Sequence, residues 1–555
     1  MIPSLARLRR NTLRISVVLA LLCFAAYRGM GTAKAEYAEI EGSGSTWAYT
    51  IIQQWIADVS ATGMQITFNN NGSSQGRKDF ANYVTDFADS DIPYQGTDPV
   101  THQTDASSRS YAYLPVVAGG TALTYQLRVG GKLVDNLRLS GETIAKIFTN
   151  KITNWDDPQI AKENGGRTFP SLPITPVVRS DGSGATAQFT LWMAKQYPSI
   201  WGPYNGGNAG LTSIYPRSGR QIAAAGDDGI MNTVDSAAGN GDIGYAEYSY
   251  PLNAHYPVAY VENPDGYFVQ PTQYNVAVAL TKARINGCKT NGTCSPTGLS
   301  PNTYLTQNLD EVYTYKDPRS YPISSYSYMI IPTSSKDQRM TAAKRQTLAD
   351  FLSYSLCTGQ SKAGPYGYSP LPLNLVKASF TQIEKLGPQA DPSPVKGVNI
   401  KNPSANLASC DNPTFVKGNL AANHLAQVAP LPEACQKATA TPCGLGAVAP
   451  GTTAKPGSTS ATTPSSGSNK GGGTPPDGGG AQVTDPGTGA VDPGTGVSTS
   501  ATTDISGATP TAVELAAQRD GNNRLFGVVA VVELVAIVLL PGVYIAWLRR
   551  RKGAA

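Results

Sequence analysis

Pro176-Val-Val-Arg-Ser-Asp-Gly-Ser-Gly-Ala-Thr186 carries a short apolar run into a basic residue, a loop of small residues and the start of a helix. Such a passage is one strand-loop-helix step of an α/β sheet. Working outward, further short apolar runs, Ile66-Thr-Phe68 and Val276-Ala-Val-Ala-Leu280, alternate with helical stretches between residue 36 and about residue 445. Trp47, Ile51, Ile52, Trp55, Ile56 and Val59 recur at helical spacing, which predicts a helix from about Thr46 with a core-facing stripe. A head of roughly 400 residues exceeds one ordinary hydrophobic core, so two lobes are expected.

The loop at 179–186 has two counterparts, Gly42-Ser-Gly-Ser-Thr-Trp47 and Asn71-Gly-Ser-Ser-Gln-Gly-Arg77. Each opens a helix with exposed backbone N–H groups at the positive end of the helix dipole and hydroxyls beside them, which is anion-binding chemistry. A lone Ser or Thr before a helix is usually a plain N-cap. Three such loops in one chain, one of them with Arg179, point beyond capping. Ser90-Asp91-Ile92-Pro93 then adds an acid close to the second loop. A carboxylate at Asp91 accepts a hydrogen bond from a protonated oxyanion and repels a fully deprotonated one. Near neutral pH phosphate keeps a proton and sulfate does not.

In their order along the chain these motifs resemble the phosphate-binding proteins of bacterial ABC-type phosphate importers. The resemblance runs from Gly42–Thr46 through Asn71–Ser74, Asp86-Phe-Ala-Asp-Ser-Asp91, Leu139–Phe148, Lys151–Asp157, Arg179–Gly184 and Gly241-Asp-Ile-Gly-Tyr-Ala-Glu247 to Gly367-Tyr-Ser-Pro-Leu-Pro372. It implies an α/β, two-lobed periplasmic-binding-protein fold with a central cleft, residues 36–117 and 325–445 forming one lobe and 118–324 the other. It also implies a site for inorganic phosphate made by Ser45, Thr46, the backbone of Trp47, Ser73, Asp91, Arg179, Ser183, Gly184 and the Ala185 amide, with Asp181 orienting Arg179. No cofactor, metal or catalysis is implied; the expected partners are phosphate and the subunits of an ABC permease. Ala185 stands where the family usually has Thr, Trp47 where it has Phe, and Gln75 where it has Gly. The stretch 285–318 looks longer than in relatives.

The chain has 555 residues, 40% hydrophobic and 15% charged, with 57 Gly and 40 Pro. Its formal charge of +5 comes from the ends: without the six Lys/Arg before residue 36 and the four at 549–552, 34 basic residues face 39 acidic ones. The body therefore lacks the positive field of a nucleic-acid binder. Residues 1–35 read as an export signal, with a basic start, an apolar run at Ile15–Ala26 and Ala33-Lys-Ala35 as the cleavage site. Residues 446–520 read as a disordered Gly/Ser/Thr/Pro-rich linker: from Gly451 to Pro510, 48 of 60 residues are Gly, Ser, Thr, Pro or Ala. Residues 525–548 are expected to span a membrane, with Glu533 inside the span and the basic tail 549–555 in the cytoplasm. These ends together predict a single-pass membrane protein with an extracytoplasmic head. Six cysteines outside the signal, Cys288, Cys294, Cys357, Cys410, Cys435 and Cys443, read as disulfides. Fifteen pairings are possible; the short separations favour 288–294 and 435–443, which would leave 357 with 410.

Rival readings are an enzyme, a surface sensor or adhesion module on the same fold, and a receptor for another oxyanion. Serine hydrolysis needs a base beside its nucleophile, and the chain has only three histidines, His102, His255 and His424, widely spread. The string Gly72-Ser-Ser-Gln-Gly-Arg-Lys78 lacks the spacing of a phosphate-cradling G-x-x-x-x-G-K loop.

Overall fold

The computed structural model describes residues 37–97, 104–387 and 410–444. Eight strands form its central sheet: β1 (Ile40–Gly44), β2 (Ile66–Asn69), β3 (Phe87–Ser90), β4 (Tyr111–Tyr125), β5 (Thr175–Arg179), β6 (Ile222–Ala224), β7 (Asp242–Glu247) and β8 (Ser324–Pro332). Across the sheet the order is β6-β5-β7-β4-β8-β3-β1-β2. β2, β1 and β3 are parallel to one another, and so are β6, β5 and β7. Between these triplets β4 and β8 run antiparallel to each other and to their neighbours. The inner strands β3, β7 and β8 are buried along both faces, as sheets covered by helices are, while the edge strands β2 and β6 are partly exposed.

β4 serves both halves. Tyr111 to Gly120 pair with β8, and Thr121 to Tyr125 pair with β7. At the changeover a Cβ on Gly119 would meet the Trp47 indole at 2.7 Å, and one on Gly120 would meet Pro271 at 2.5 Å. The strand passes between halves through a gap that only glycine fits.

The principal helices are α1 (Tyr49–Ser60), α2 (Ser73–Ala81), α3 (Gly141–Phe148), α4 (Gly184–Gln196), α5 (Gly226–Val234), α6 (Gln273–Leu280), α7 (Ala342–Leu356) and α8 (Leu373–Ile383). α1 buries Ile51, Ile52, Trp55 and Val59. It begins at Tyr49, three residues later than Thr46, and the turn before it is capped by Ser45 Oγ, which accepts from the amides of Trp47 and Ala48 at 3.1 and 3.3 Å. Val276–Leu280, an apolar run of strand type in the sequence, is instead the end of α6. All five residues are buried, and a helix enclosed on every side shows no amphipathic period.

Residues 284–308 leave the head as a short hairpin, Arg284–Ile285 with Gln307–Asn308, closed by Cys288–Cys294. It is tied to the segment after β3 and to β8: Asn302 donates to the Tyr94 carbonyl at 3.0 Å, and Gln307 accepts from the Tyr326 amide at 2.8 Å. Disulfides also join Cys357 to Cys410 and Cys435 to Cys443. Thr414 donates to the Leu371 carbonyl at 2.7 Å, and further on Gln436 and the Cys435 carbonyl accept from Arg138. Residues 410–444 thus run from one half of the sheet to the other.

Among the described residues no helix is long and apolar enough to cross a membrane. The longest, α7, has 15 residues, about 22 Å against about 30 Å of hydrocarbon. The fold class is corrected accordingly to an α/β head with no membrane-spanning helix among the described residues, which give the expected single-pass membrane localisation no support. The signal, linker, anchor and basic-tail readings at 1–35, 446–520, 525–548 and 549–555 lie outside the described residues.

Candidate functional site

All the candidate ligand-binding residues come together at the carboxyl ends of the parallel strands, where the loops of both triplets meet. β1 delivers Ser45, Thr46 and Trp47; β3 delivers Asp91; β5 ends on Arg179 and leads to Asp181 and Ser183; Ser73 starts α2, and Gly184 and Ala185 start α4. Open α/β sheets bind ligands at such crevices, because helix N-termini converge there. Ser45, Thr46, Ser73, Asp91, Arg179 and Ser183 are each at most 2% exposed, so the loops enclose the site rather than merely flank it.

Asp91 sits among hydroxyls. Its carboxylate accepts from Ser45 at 2.8 and 2.9 Å, from Ser73 at 3.1 Å and from Ser327 on β8 at 2.7 Å. Burial pushes its pKa up, while these three donors pull it back toward the ionised form. Opposite, Arg179 is held by two acids: Nη1 meets Asp227 at 2.5 Å, and Nε and Nη2 meet Asp181 at 2.8 and 2.5 Å. Burial alone would push Asp181 up, but the guanidinium outweighs it and holds that carboxyl below the usual range. Asp227 is fully enclosed, and there burial wins and raises its pKa in spite of Arg179.

The two halves touch directly across the site. Thr46 donates to Asp227, and the Asp227 amide donates back to Thr46 Oγ1 at 3.3 Å. The Ser74 amide donates to the Gly182 carbonyl at 3.0 Å, and Gln188 on α4 donates to the Asp91 carbonyl at 2.8 Å. Gly184 lies so close to the first half that a Cβ would meet Asp91 Oδ2 at 2.5 Å and Ser73 Oγ at 2.6 Å. Ser183 uses its hydroxyl to cap α4 at the Thr186 amide, 3.2 Å away.

Asp227 and Ser327 belong to this arrangement although sequence reasoning did not single them out. Asp227 follows Gly226 at the start of α5 in another strand-loop-helix step, so loop form was the available signal. Ser327 reaches the site from a strand, with no local motif. Gly72-Ser-Ser-Gln-Gly76 has the letters of a G-x-S-x-G nucleophile elbow. However, the Ser74 hydroxyl accepts from Arg77 at 3.4 Å, and neither described histidine bonds it. The cluster offers acceptors, hydroxyl donors and one neutralised guanidinium around a small space.

A family profile described as a PBP superfamily domain matches residues 31–358. A phosphate-binding protein PstS of Xylella fastidiosa is 29% identical over 345 residues, covering 61% of this chain and 83% of the relative. Phosphate-binding protein PstS 2 of Mycobacterium tuberculosis is 31% identical over 343 residues, 60% of this chain and 83% of the relative. A solved phosphate-binding protein from Stenotrophomonas maltophilia is 18% identical with a TM-score of 0.45, over 61% of this chain and 92% of that one.

Proposed function

Since the chain belongs to the periplasmic-binding-protein superfamily, and within it to the phosphate-binding proteins of ABC-type transport, we propose that it binds inorganic phosphate between the two halves of its head. It is a receptor and not an enzyme. The observation that carries the phosphate reading is Asp91, a buried carboxylate set among three hydroxyls and beside the N-termini of α2 and α4. Such a group accepts a proton-bearing oxyanion and gives sulfate only repulsion. Arg179 and the amides at Thr46, Gly184 and Ala185 supply the donors for the remaining oxygens. Ligand oxygens satisfied from both halves favour the closed head, because the open one makes only half of those contacts. The closed, loaded head is then handed to a separate permease.

Calorimetric titration of the full chain with phosphate, sulfate and arsenate tests this reading. Phosphate heat with sulfate silent is the expected result. Asp91→Asn should weaken phosphate by about 10–100-fold, the worth of a hydrogen bond to a charged group, and narrow the gap to sulfate. Sulfate bound as tightly as phosphate, or no phosphate heat at all, would overturn it.

A further inference from the structure

Ser327 lies between two carboxyl groups, its Oγ 2.6 Å from Asp89 Oδ1 and 2.7 Å from Asp91 Oδ1. A serine hydroxyl has one proton to give. One proton can be shared between the two oxygens of a single carboxylate, as that of Ser45 is, but it cannot lie along two bonds this short to two separate carboxyl groups, so in one of them a carboxyl O–H donates to the serine oxygen.

The surroundings decide which. Asp91 also accepts from Ser45 and Ser73, and Ser45 has its proton free for that task because its oxygen already accepts from the Trp47 and Ala48 amides. Asp91 is thus solvated as a carboxylate. Asp89 has Ser327 at one oxygen, while its other oxygen, Oδ2, is buried with no partner. A bare carboxylate oxygen in a dry interior is costly, whereas the carbonyl oxygen of a neutral acid is tolerated. Along β3 the side chains alternate, so Ser90 faces away from this pair and binds Arg77, which is already matched to Asp105. No cation reaches Asp89 among the described residues, and the charge beside it is that of Asp91. Burial and that neighbour push the Asp89 carboxyl well above the usual range.

We propose that Asp89 is held as a neutral carboxylic acid whose O–H donates to Ser327, so that Ser327 donates its own proton to Asp91 and fixes Asp91 as an acceptor aimed at the ligand. Asp89 is a positioning residue: it acts on the ligand only through Ser327 and Asp91. Its effect on affinity rests on the phosphate reading above, while its protonation does not.

The test uses the full chain in two measurements. Titration with inorganic phosphate compares the native protein with Asp89→Asn, Asp89→Ala, Ser327→Ala and the Asp89→Ala/Ser327→Ala pair. Asn keeps an N–H donor toward Ser327 and should stay within about threefold of the native affinity, whereas Ala should lose about tenfold or more. Asp89→Ala should add nothing once Ser327 is gone. Infrared difference spectra at pH 7.5, native minus Asp89→Asn, should show the carbonyl band of one protonated carboxyl. Loss of affinity in Asp89→Asn equal to that in Asp89→Ala, or absence of the band, overturns the proposal. If Asp89→Ala does not fold, Asp89→Asn and the spectrum decide. If the native protein takes up no phosphate, the phosphate reading falls, and the band alone still decides the state of Asp89.

Discussion

Asp242, at the start of β7, shows what burial does to an acid with no cation to answer it: its pKa is pushed up to about 6, with only Thr175 pulling it back. The folded protein therefore holds this proton through a range in which the unfolded chain has already released it, near pH 4. Stability consequently falls as pH rises from about 4 to about 6, and the full penalty remains above that. Asp242→Asn removes the penalty. It should raise Tm by about 1–3 °C at pH 7.5, with the gain shrinking as pH falls toward 4, as thermal melts at several pH values will show. A gain independent of pH would mean that packing, and not ionisation, limits the position. Asp181 has the opposite sign, since Arg179 holds it low; its contribution is present near neutrality and is lost only at acid pH.

Helix α4 approaches the first half of the sheet through Gly184, and that contact closes the cleft. Gly184→Ala places a methyl group against Asp91 and Ser73, and α4 cannot make room without withdrawing its N-terminus from the site. Phosphate affinity should fall by about a hundredfold or more, while the melting temperature of the ligand-free protein stays within a few degrees. An unchanged titration would show that the halves do not need to meet this closely. The loops that open α1, α2 and α4 were legible in sequence because each strings glycines and hydroxyls together at the start of a helix. The loop that opens α5, Ala223-Ala-Ala-Gly-Asp-Asp-Gly229, has the same form but no hydroxyl, so Asp227 looks like an ordinary turn acid. Ser327 is 236 residues from Asp91, and β8 is buried along both faces, so no polar-apolar alternation tells which serine of Ser324-Ser-Tyr-Ser faces the site. The end of helix α6 hides for a different reason: five consecutive buried residues leave no helical period to read.

Over the whole molecule the same strand order that joins the two halves also gathers charge of one sign where they meet. Arg179 faces Asp181 and Asp227 directly, with Asp91 across the site, so three carboxyl groups surround one guanidinium. Outside the terminal basic clusters the chain is itself acidic in balance. An arriving anion meets no attractive potential at a distance, and its capture depends on dipoles that act only over the last few ångströms. Stopped-flow association rates for phosphate should therefore stay flat or rise between about 10 and 300 mM salt, since screening relieves repulsion. Rates that fall steeply with salt would reveal steering by a positive surface. A receptor of this kind gives up speed of encounter at low ionic strength, and in return its uptake hardly changes when the salinity of the surroundings does.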